Sequence, residues 1–292
     1  MGLLDGKVVI ITGAGGGIGR EHALLMAKEG AKVVVNDLGG SRDGSGGTDA
    51  AASKVVAEIK QAGGQAVPNF DNVATVESGK KIIKCAIDAF GKVDVLVNNA
   101  GILRDKSFTN MTEDLWDSVI AVHLKGAYCT TLPMFQYLKE RGGPGRIINT
   151  TSTSGLFGNF GQANYGAAKA GVYGFTRVLS IEGKKYGVTA NAIAPVALTR
   201  MTEDLPVFKA PGLDVETNPK LIPPVVTWLA SDESADVTGK VFMLRGNHVE
   251  LLFVERKLIA EKPGATGPWA PKEIGGKIKE FLKSFDEPWK GF

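Results

Sequence analysis

The feature that most narrows the folds open to this chain lies in its first twenty residues. KVVIIT, residues 7–12, is an unbroken apolar run of the kind a strand buried on both faces requires. It passes directly into Gly13-Ala14-Gly15-Gly16-Gly17-Ile18-Gly19, and a helical pattern begins near Gly17. A strand that turns on glycines into a helix is the first half of a parallel strand-helix-strand unit. Glycine lets the backbone turn tightly and approach a ligand closely, and the unpaired N–H groups of a helix's first turn favour an anion such as a pyrophosphate. Gly13, Gly15, Gly17, Ile18 and Gly19 are the positions so marked.

The same alternation continues. KVVVND (32–37), QAVPNF (65–70), KVDVLVNNAG (92–101), RIINTTS (146–152), VTANAIAP (188–195) and KVFML (240–244) read as further strands separated by helical segments. This predicts an α/β fold: a single doubly wound parallel sheet of about seven strands, with helices on both faces, over residues 1–245. One long helix is expected over 112–140, started by Thr112, and another over 219–231; Thr48 or Asp49 is the expected cap of the helix after the glycine-rich loop 38–50. TRMTEDLPVFKAPGLDVET, residues 199–217, reads as a mobile flap. From 246 to 292 the text changes. HVELLFVERKLIAEK fits a strand or a helix, and a proline-started helix follows with Ile274, Ile278, Phe281 and Leu282 on one side. At this length it is expected as an extension packed on the main domain.

In such a sheet the ligand sits beyond the carboxyl ends of the strands. Asp37, 18 residues past Gly19, ends the second strand and is followed by Leu38. A carboxylate there accepts from two ribose hydroxyls and repels a 2′-phosphate, which selects NAD over NADP. Neither Gly16 nor Leu38 offers a cation for a 2′-phosphate. Asn72-Val73 would lie beside the adenine. Asn98, Asn99, Ala100 and Gly101 would let the dinucleotide pass close and would tie neighbouring strands together.

The chemistry points to STSGLFGNFGQANYGAAK, residues 152–169. Tyr165 and Lys169 are four apart in a run whose apolar positions Ala168, Val172, Phe175, Val178, Leu179 and Ile181 recur at helical spacing, so phenol and ammonium leave the helix on one face. A free phenol titrates near ~10, and a neighbouring cation lowers that value. Ser152 ends a strand thirteen residues before Tyr165. Its hydroxyl and the phenol could together hold a carbonyl or carbinol oxygen, one of them passing the proton.

Composition excludes several classes. The chain has 34 basic and 31 acidic residues, a net +3, too balanced for nucleic acid. No apolar run reaches the roughly 18 residues of a membrane span, and no leader is expected before the first strand. Cys85 and Cys129 have no CxxC partner and read as free thiols of a reducing compartment; His22, His123 and His248 are scattered, so no metal is expected. The cytoplasm is the expected location.

With TGAGGGIG, NNAG, Ser152, Tyr165-x-x-x-Lys169 and NAIAP in this order, the chain resembles the short-chain dehydrogenase/reductase family over residues 5 to about 245. The resemblance implies a Rossmann-type sheet. It implies that Ser152 positions the substrate oxygen, that Tyr165 is the acid and base, and that Lys169 lowers the phenol's pKa and binds the nicotinamide ribose. Pro195, Ala197, Leu198, Thr199 and Arg200 would line the nicotinamide, with Thr199 at its carboxamide. A homodimer or homotetramer through the long helices is implied as well. Two departures stand out: His123 occupies the place of an asparagine that holds a water beside the lysine, and Val196 replaces a glycine. A narrower resemblance runs through VVVNDLGG, NNAGILRDKSF, GNFGQANYGAAK and SIEGKKYGV to the (3R)-hydroxyacyl-CoA dehydrogenases of peroxisomal multifunctional type. It implies an acyl-CoA substrate, then a 17-hydroxysteroid, then an acyl-carrier-protein thioester; Arg104 and Lys106 would be placed to meet a CoA phosphate or to be solvated loop charges.

Overall fold

The computed structural model describes residues 2–198, 217–262 and 267–284. Its sheet contains β1 (Val8–Thr12), β2 (Lys32–Asn36), β3 (Gln65–Asn69), β4 (Val95–Asn98), β5 (Gly145–Thr150), β6 (Val188–Val196), β7 (Val241–Arg245) and β8 (His248–Leu252). They run in the order β3-β2-β1-β4-β5-β6-β7-β8, parallel as far as β7. β8 pairs antiparallel with β7, His248 opposite Arg245. Among the described residues the sheet thus has eight strands, and it continues past residue 245.

Side-chain alternation explains how short strands hold both layers together. Val9, Ile11, Val33 and Val35 point to one face, where they meet Ala23 and Met26 of α1 (Gly17–Lys28), Val55 and Ile59 of α2 (Ala50–Gln61), and Val226 and Leu229 of a later helix, Pro223–Ala230. Val8, Ile10 and Val34 point to the other, against Ile82 and Ile83 of α3 (Val76–Phe90) and against Met134, Leu138 and Leu179 of helices described next. Each apolar run therefore feeds two cores, and no strand can shift register by one residue without exchanging them.

The segment expected as one long helix is two. α4 (Glu113–Ile120) and α5 (Gly126–Arg141) are joined by a single π-helical stretch, Ala121–Lys125, with His123 at its centre. Thr112 starts α4 as expected, its hydroxyl accepting from Leu115 N at 3.5 Å. Such bulges occur where a side chain is re-aimed for function. A short helix unmarked in the sequence, α6 (Thr153–Phe157), precedes α7 (Ala163–Gly183), and Pro223–Ala230 is α8. Ahead of α2, Asp49 has helical backbone angles and makes no side-chain cap bond, while the Thr48 hydroxyl accepts from Ala50 N at 3.3 Å, two residues on, as an expected cap does.

The chain divides into two compact units, Met1–Leu252 and Phe253–Phe292. The second contains α9 (Pro271–Ser284), started by its proline, with Lys262 lying 4.8 Å from the Trp269 ring centre and 3.4 Å from Glu273. No helix among the described residues is long and apolar enough to cross a membrane, and no cluster of His, Cys, Asp and Glu suited to a metal occurs among them.

Candidate active site

β1 and β4 are neighbours whose connections leave in opposite directions, which opens a crevice at their carboxyl ends. The glycine turn closes one side of it. Gly16, at the start of α1, makes no side-chain cap bond, and the first turn carries no acidic residue, so the positive end of this helix is left for an anion. Asp37 stands over the turn: one carboxylate oxygen accepts from Gly15 N at 2.7 Å and the other from Gly39 N at 2.7 Å. A Cβ on Gly15 would lie 2.8 Å from the Asp37 carboxylate, so only glycine permits this approach.

The other side is NNAG. Asn99 Nδ2 donates to Thr12 O at 3.0 Å and Gly13 O at 3.1 Å, while Thr12 Oγ1 accepts from the backbone of Asn99 and Ala100. Asn98 Nδ2 donates to Asn149 Oδ1 at 2.8 Å, joining β4 to β5. The amides thus tie strands together as their positions suggested, and Thr12 is a partner that sequence reasoning missed. Val73 is buried, and the Asn72 side chain accepts from Ala74 N at 2.9 Å. Leu38 is exposed beside Asp37. Across the crevice Pro195 pairs with Leu244 inside β6, Ala197 is buried, and Leu198 N donates to Thr217 O at 2.7 Å. Thr199, Arg200 and the rest of the expected flap up to 216 lie outside the described residues.

Ser152, Tyr165 and Lys169 come together at the end of β5. Ser152 is the cap of α6, its hydroxyl accepting from Ser154 N at 3.1 Å, and the same hydroxyl acts to lower the pKa of the Tyr165 phenol. One turn further along α7, Lys169 Nζ lies 5.5 Å from the centre of the tyrosine ring and donates to Thr150 O at 2.6 Å. Thr151 Oγ1 in turn donates to Lys169 O at 2.7 Å, fixing α7 against the strand. Burial pushes the phenol up to about 12, against the pull of the Ser152 hydroxyl and with a further push from Asp105. Burial also brings the ammonium down to about 7. Burial is the largest influence on the phenol and acts against the lowering expected of Lys169.

His123 completes the group. Its ring stands edge-on to Tyr165, 5.1 Å between centres, and Nε2 lies 2.8 Å from Ile102 O and 3.1 Å from Ile102 N. The shorter contact assigns the proton to Nε2, which leaves Nδ1 an acceptor; Nδ1 is buried without a protein partner. Burial and then the charge of Lys169 hold the imidazole well below its ordinary pKa, so it is neutral. His123, Lys169, Thr150, Thr12 and Asn98 line a cavity of about 10 Å³. That is the space of roughly one water molecule, and the unpartnered Thr150 Oγ1 supplies a further polar wall.

Of the two loop charges considered for a phosphate, Arg104 is committed elsewhere: Nε donates to Asp43 O at 2.8 Å and Nη1 to Asp114 at 2.7 Å, bracing the glycine-rich loop against α4. Lys106 is exposed.

Comparison with known proteins agrees with this geometry. Residues 7–207 match the short chain dehydrogenase family. The chain is 45% identical over 271 residues to the peroxisomal multifunctional enzyme type 2 of Mus musculus, covering 92% of this chain and 36% of that protein. It is 37% identical over 299 residues to a hydroxyacyl-CoA dehydrogenase of Mycobacterium tuberculosis, covering 97% of this chain and 90% of that one. A crystal structure of a short chain dehydrogenase from Mycobacterium avium superposes with a TM-score of 0.84 at 46% identity, over 98% of both chains. The chain spans about a third of the mouse protein's length and nearly all of the two mycobacterial ones. Fold, glycine turn and sequence together make this chain an oxidoreductase of the short-chain dehydrogenase/reductase family.

Proposed function

We propose that the chain is an NAD-dependent dehydrogenase that interconverts a (3R)-3-hydroxyacyl-CoA and its 3-oxo thioester. The observation that carries this reading is the Ser152-Tyr165-Lys169 group at the mouth of the dinucleotide crevice. The substrate class is supported by the name and near-complete coverage of the hydroxyacyl-CoA dehydrogenase relative.

The residues present fit a nicotinamide dinucleotide. The uncapped first turn of α1 suits the pyrophosphate, and the Asp37 carboxylate, with lone pairs beyond those on Gly15 and Gly39, suits the ribose hydroxyls and opposes a 2′-phosphate. When bound, the oxidised nicotinamide supplies the hydride acceptor and a positive charge. The chain's own groups handle the oxygen and the proton. In alcohol oxidation Ser152 holds the substrate oxygen, ionised Tyr165 accepts the hydroxyl proton as the carbinol C–H bond gives up its hydride, and in ketone reduction Tyr165 returns that proton. Lys169, titrating near neutrality, passes protons between the phenol and a water held in the 10 Å³ cavity against His123 Nδ1. His123 thereby takes the part of the family's asparagine.

The exposed Val178 and Ile181 on α7, with Tyr128 on α5, support a homodimer or homotetramer. The two free thiols support a reducing cytoplasm; the mouse relative is named peroxisomal. Initial rates with NAD and NADP on (R)- and (S)-3-hydroxyacyl-CoA, a 17-hydroxysteroid and a 3-oxoacyl carrier-protein thioester test the reading. NAD-linked turnover of the (R)-thioester above the others is expected. A preference for NADP, or for the steroid, refutes it.

A further inference from the structure

The connection between β2 and α2 is folded on itself and carried to the far side of the crevice. Leu38 O accepts from Thr48 N at 3.2 Å, which closes a neck. Beyond the neck Ser41 N donates to Ser45 O at 2.8 Å and Gly44 N to Ser41 O at 2.9 Å. The Asp43 carboxylate accepts from Ser45 N at 3.0 Å and from the hydroxyls of Ser41 and Ser45 at 2.9 and 2.7 Å. The tip is therefore a compact unit of its own, with Gly39-Gly40 before it and Gly46-Gly47 after it. Gly39 and Gly46 take φ of 74° and 73°, where the chain turns into and out of the tip. The tip is seated on the segment after NNAG. Arg42 O accepts from Leu103 N at 3.1 Å, Asp43 O accepts from Arg104 Nε at 2.8 Å, and Gly44 lies against the buried Ile102 side chain.

Residues 102–104 follow β4, and in the sheet β1 stands between β2 and β4. A loop that leaves β2 and is pinned after β4 crosses the carboxyl end of β1, where the glycine turn opens the crevice. We propose that residues 41–45 are a strap closed over the dinucleotide crevice and latched by Arg104, and that this strap must lift for a dinucleotide to enter or leave. The latch is made wholly of the chain's own groups, so it closes the crevice whether or not a nucleotide lies beneath. Two hydrogen bonds and one apolar contact hold the tip down, few enough to break and remake. Once they break, the internally bonded tip moves as one piece, with the glycine pairs as hinges. Arg104 is held in place for this by Asp114 of the first turn of α4, 2.7 Å from Nη1. Such a strap slows exchange in both directions, and it sets how long the product dinucleotide stays after hydride transfer.

This inference rests on a dinucleotide occupying the crevice, and its test separates the two. Binding and release of NADH are followed by stopped-flow fluorescence in the full chain. In Arg104→Ala, loss of the charged donor to Asp43 O should raise the association and the dissociation rate together by about tenfold, with Kd changed by less than about threefold. The opposite manipulation locks the strap. A Cβ on Gly44 would stand 3.9 Å from Ile102 Cβ, a separation that a disulfide spans. Gly44→Cys with Ile102→Cys, oxidised and with the link between residues 44 and 102 confirmed by peptide mass mapping, should neither take up NADH nor release NADH bound beforehand. Dithiothreitol should restore both. Should Arg104→Ala fail to fold, the cross-link decides. Unmoved rates in folded Arg104→Ala, release that quickens without association, or cross-linked protein that exchanges NADH as fast as its reduced form each overturn the strap. Absence of saturable NADH binding in the wild type overturns the underlying reading instead.

Discussion

His123 and Tyr165 meet edge to face, 5.1 Å between ring centres at 90°, and the imidazole is fastened to the backbone of Ile102 by its far nitrogen. The contact places a neutral, buried acceptor beside both the phenol and the lysine cavity. His123→Ala should therefore lower kcat by about tenfold to a hundredfold, the range of a positioned proton-transfer group, with KM for NAD nearly unchanged. His123→Asn, which can still accept and donate, should keep more of the rate. Steady-state kinetics on the two variants decide it; equal loss in both would show that the ring serves packing alone.

Lys169 is buried with an ammonium brought from its ordinary 10.5 to about 7. The folded pKa is depressed, so between pH 7 and 10.5 the unfolded chain binds the proton and the native one does not, and stability rises with pH across that window. Below it both states are charged and the burial cost is borne in full. Lys169→Met removes that cost and also loses the bond to Thr150 O, so a net gain of about 2–4 kcal/mol is expected near pH 6.5, seen as several degrees in Tm. The gain should shrink towards zero as pH approaches 10, while activity is lost. Thermal unfolding of both proteins across pH measures it, and a variant less stable than wild type at pH 6.5 would contradict the burial argument.

Asp37 accepts from Gly15 N and Gly39 N, and in the function proposed here its remaining lone pairs would hold a ribose. Asp37→Ser should raise KM for NAD by about tenfold and improve NADP use, narrowing the ratio of their kcat/KM values. A ratio that does not move would detach Asp37 from the ribose.

Much of this was legible before any coordinates. The central parallel strands read directly because burial on both faces leaves them almost wholly apolar, as in VVIIT of β1. β8 did not, since HVELL is mostly exposed and lacks that signature. Ser152, Tyr165 and Lys169 could be found from helical spacing and a strand end. The direction of their pKa shifts could not, because desolvation depends on what packs around them. Nor does AVHLK carry a breaker that would announce a π-helical stretch. Val178 and Ile181, which share helical spacing with Val172 and Leu179, lie on the outside of α7: spacing alone does not say which apolar positions the sheet takes. Gln162 bonds Asp105 and Asn164 bonds Arg104 across more than fifty residues of chain, a relation that local pattern does not encode.

Gly101 is where the two halves of the site press on each other. A Cβ built there would stand 2.3 Å from His123 Cε1, and the ring cannot retreat freely because Nε2 is held at Ile102. Gly101→Ala should therefore push the imidazole off that backbone and change the cavity beside Lys169, at a cost of about 1–3 kcal/mol from overpacking. The effect should be carried by the histidine. In the double variant with His123→Ala the clash is gone, so the activity and stability losses should be well below the sum of the single ones, a coupling read by a double-mutant cycle. Additive losses would mean that Gly101 is required by something other than the ring, and the pairing of residues 101 and 123 would have to be given up.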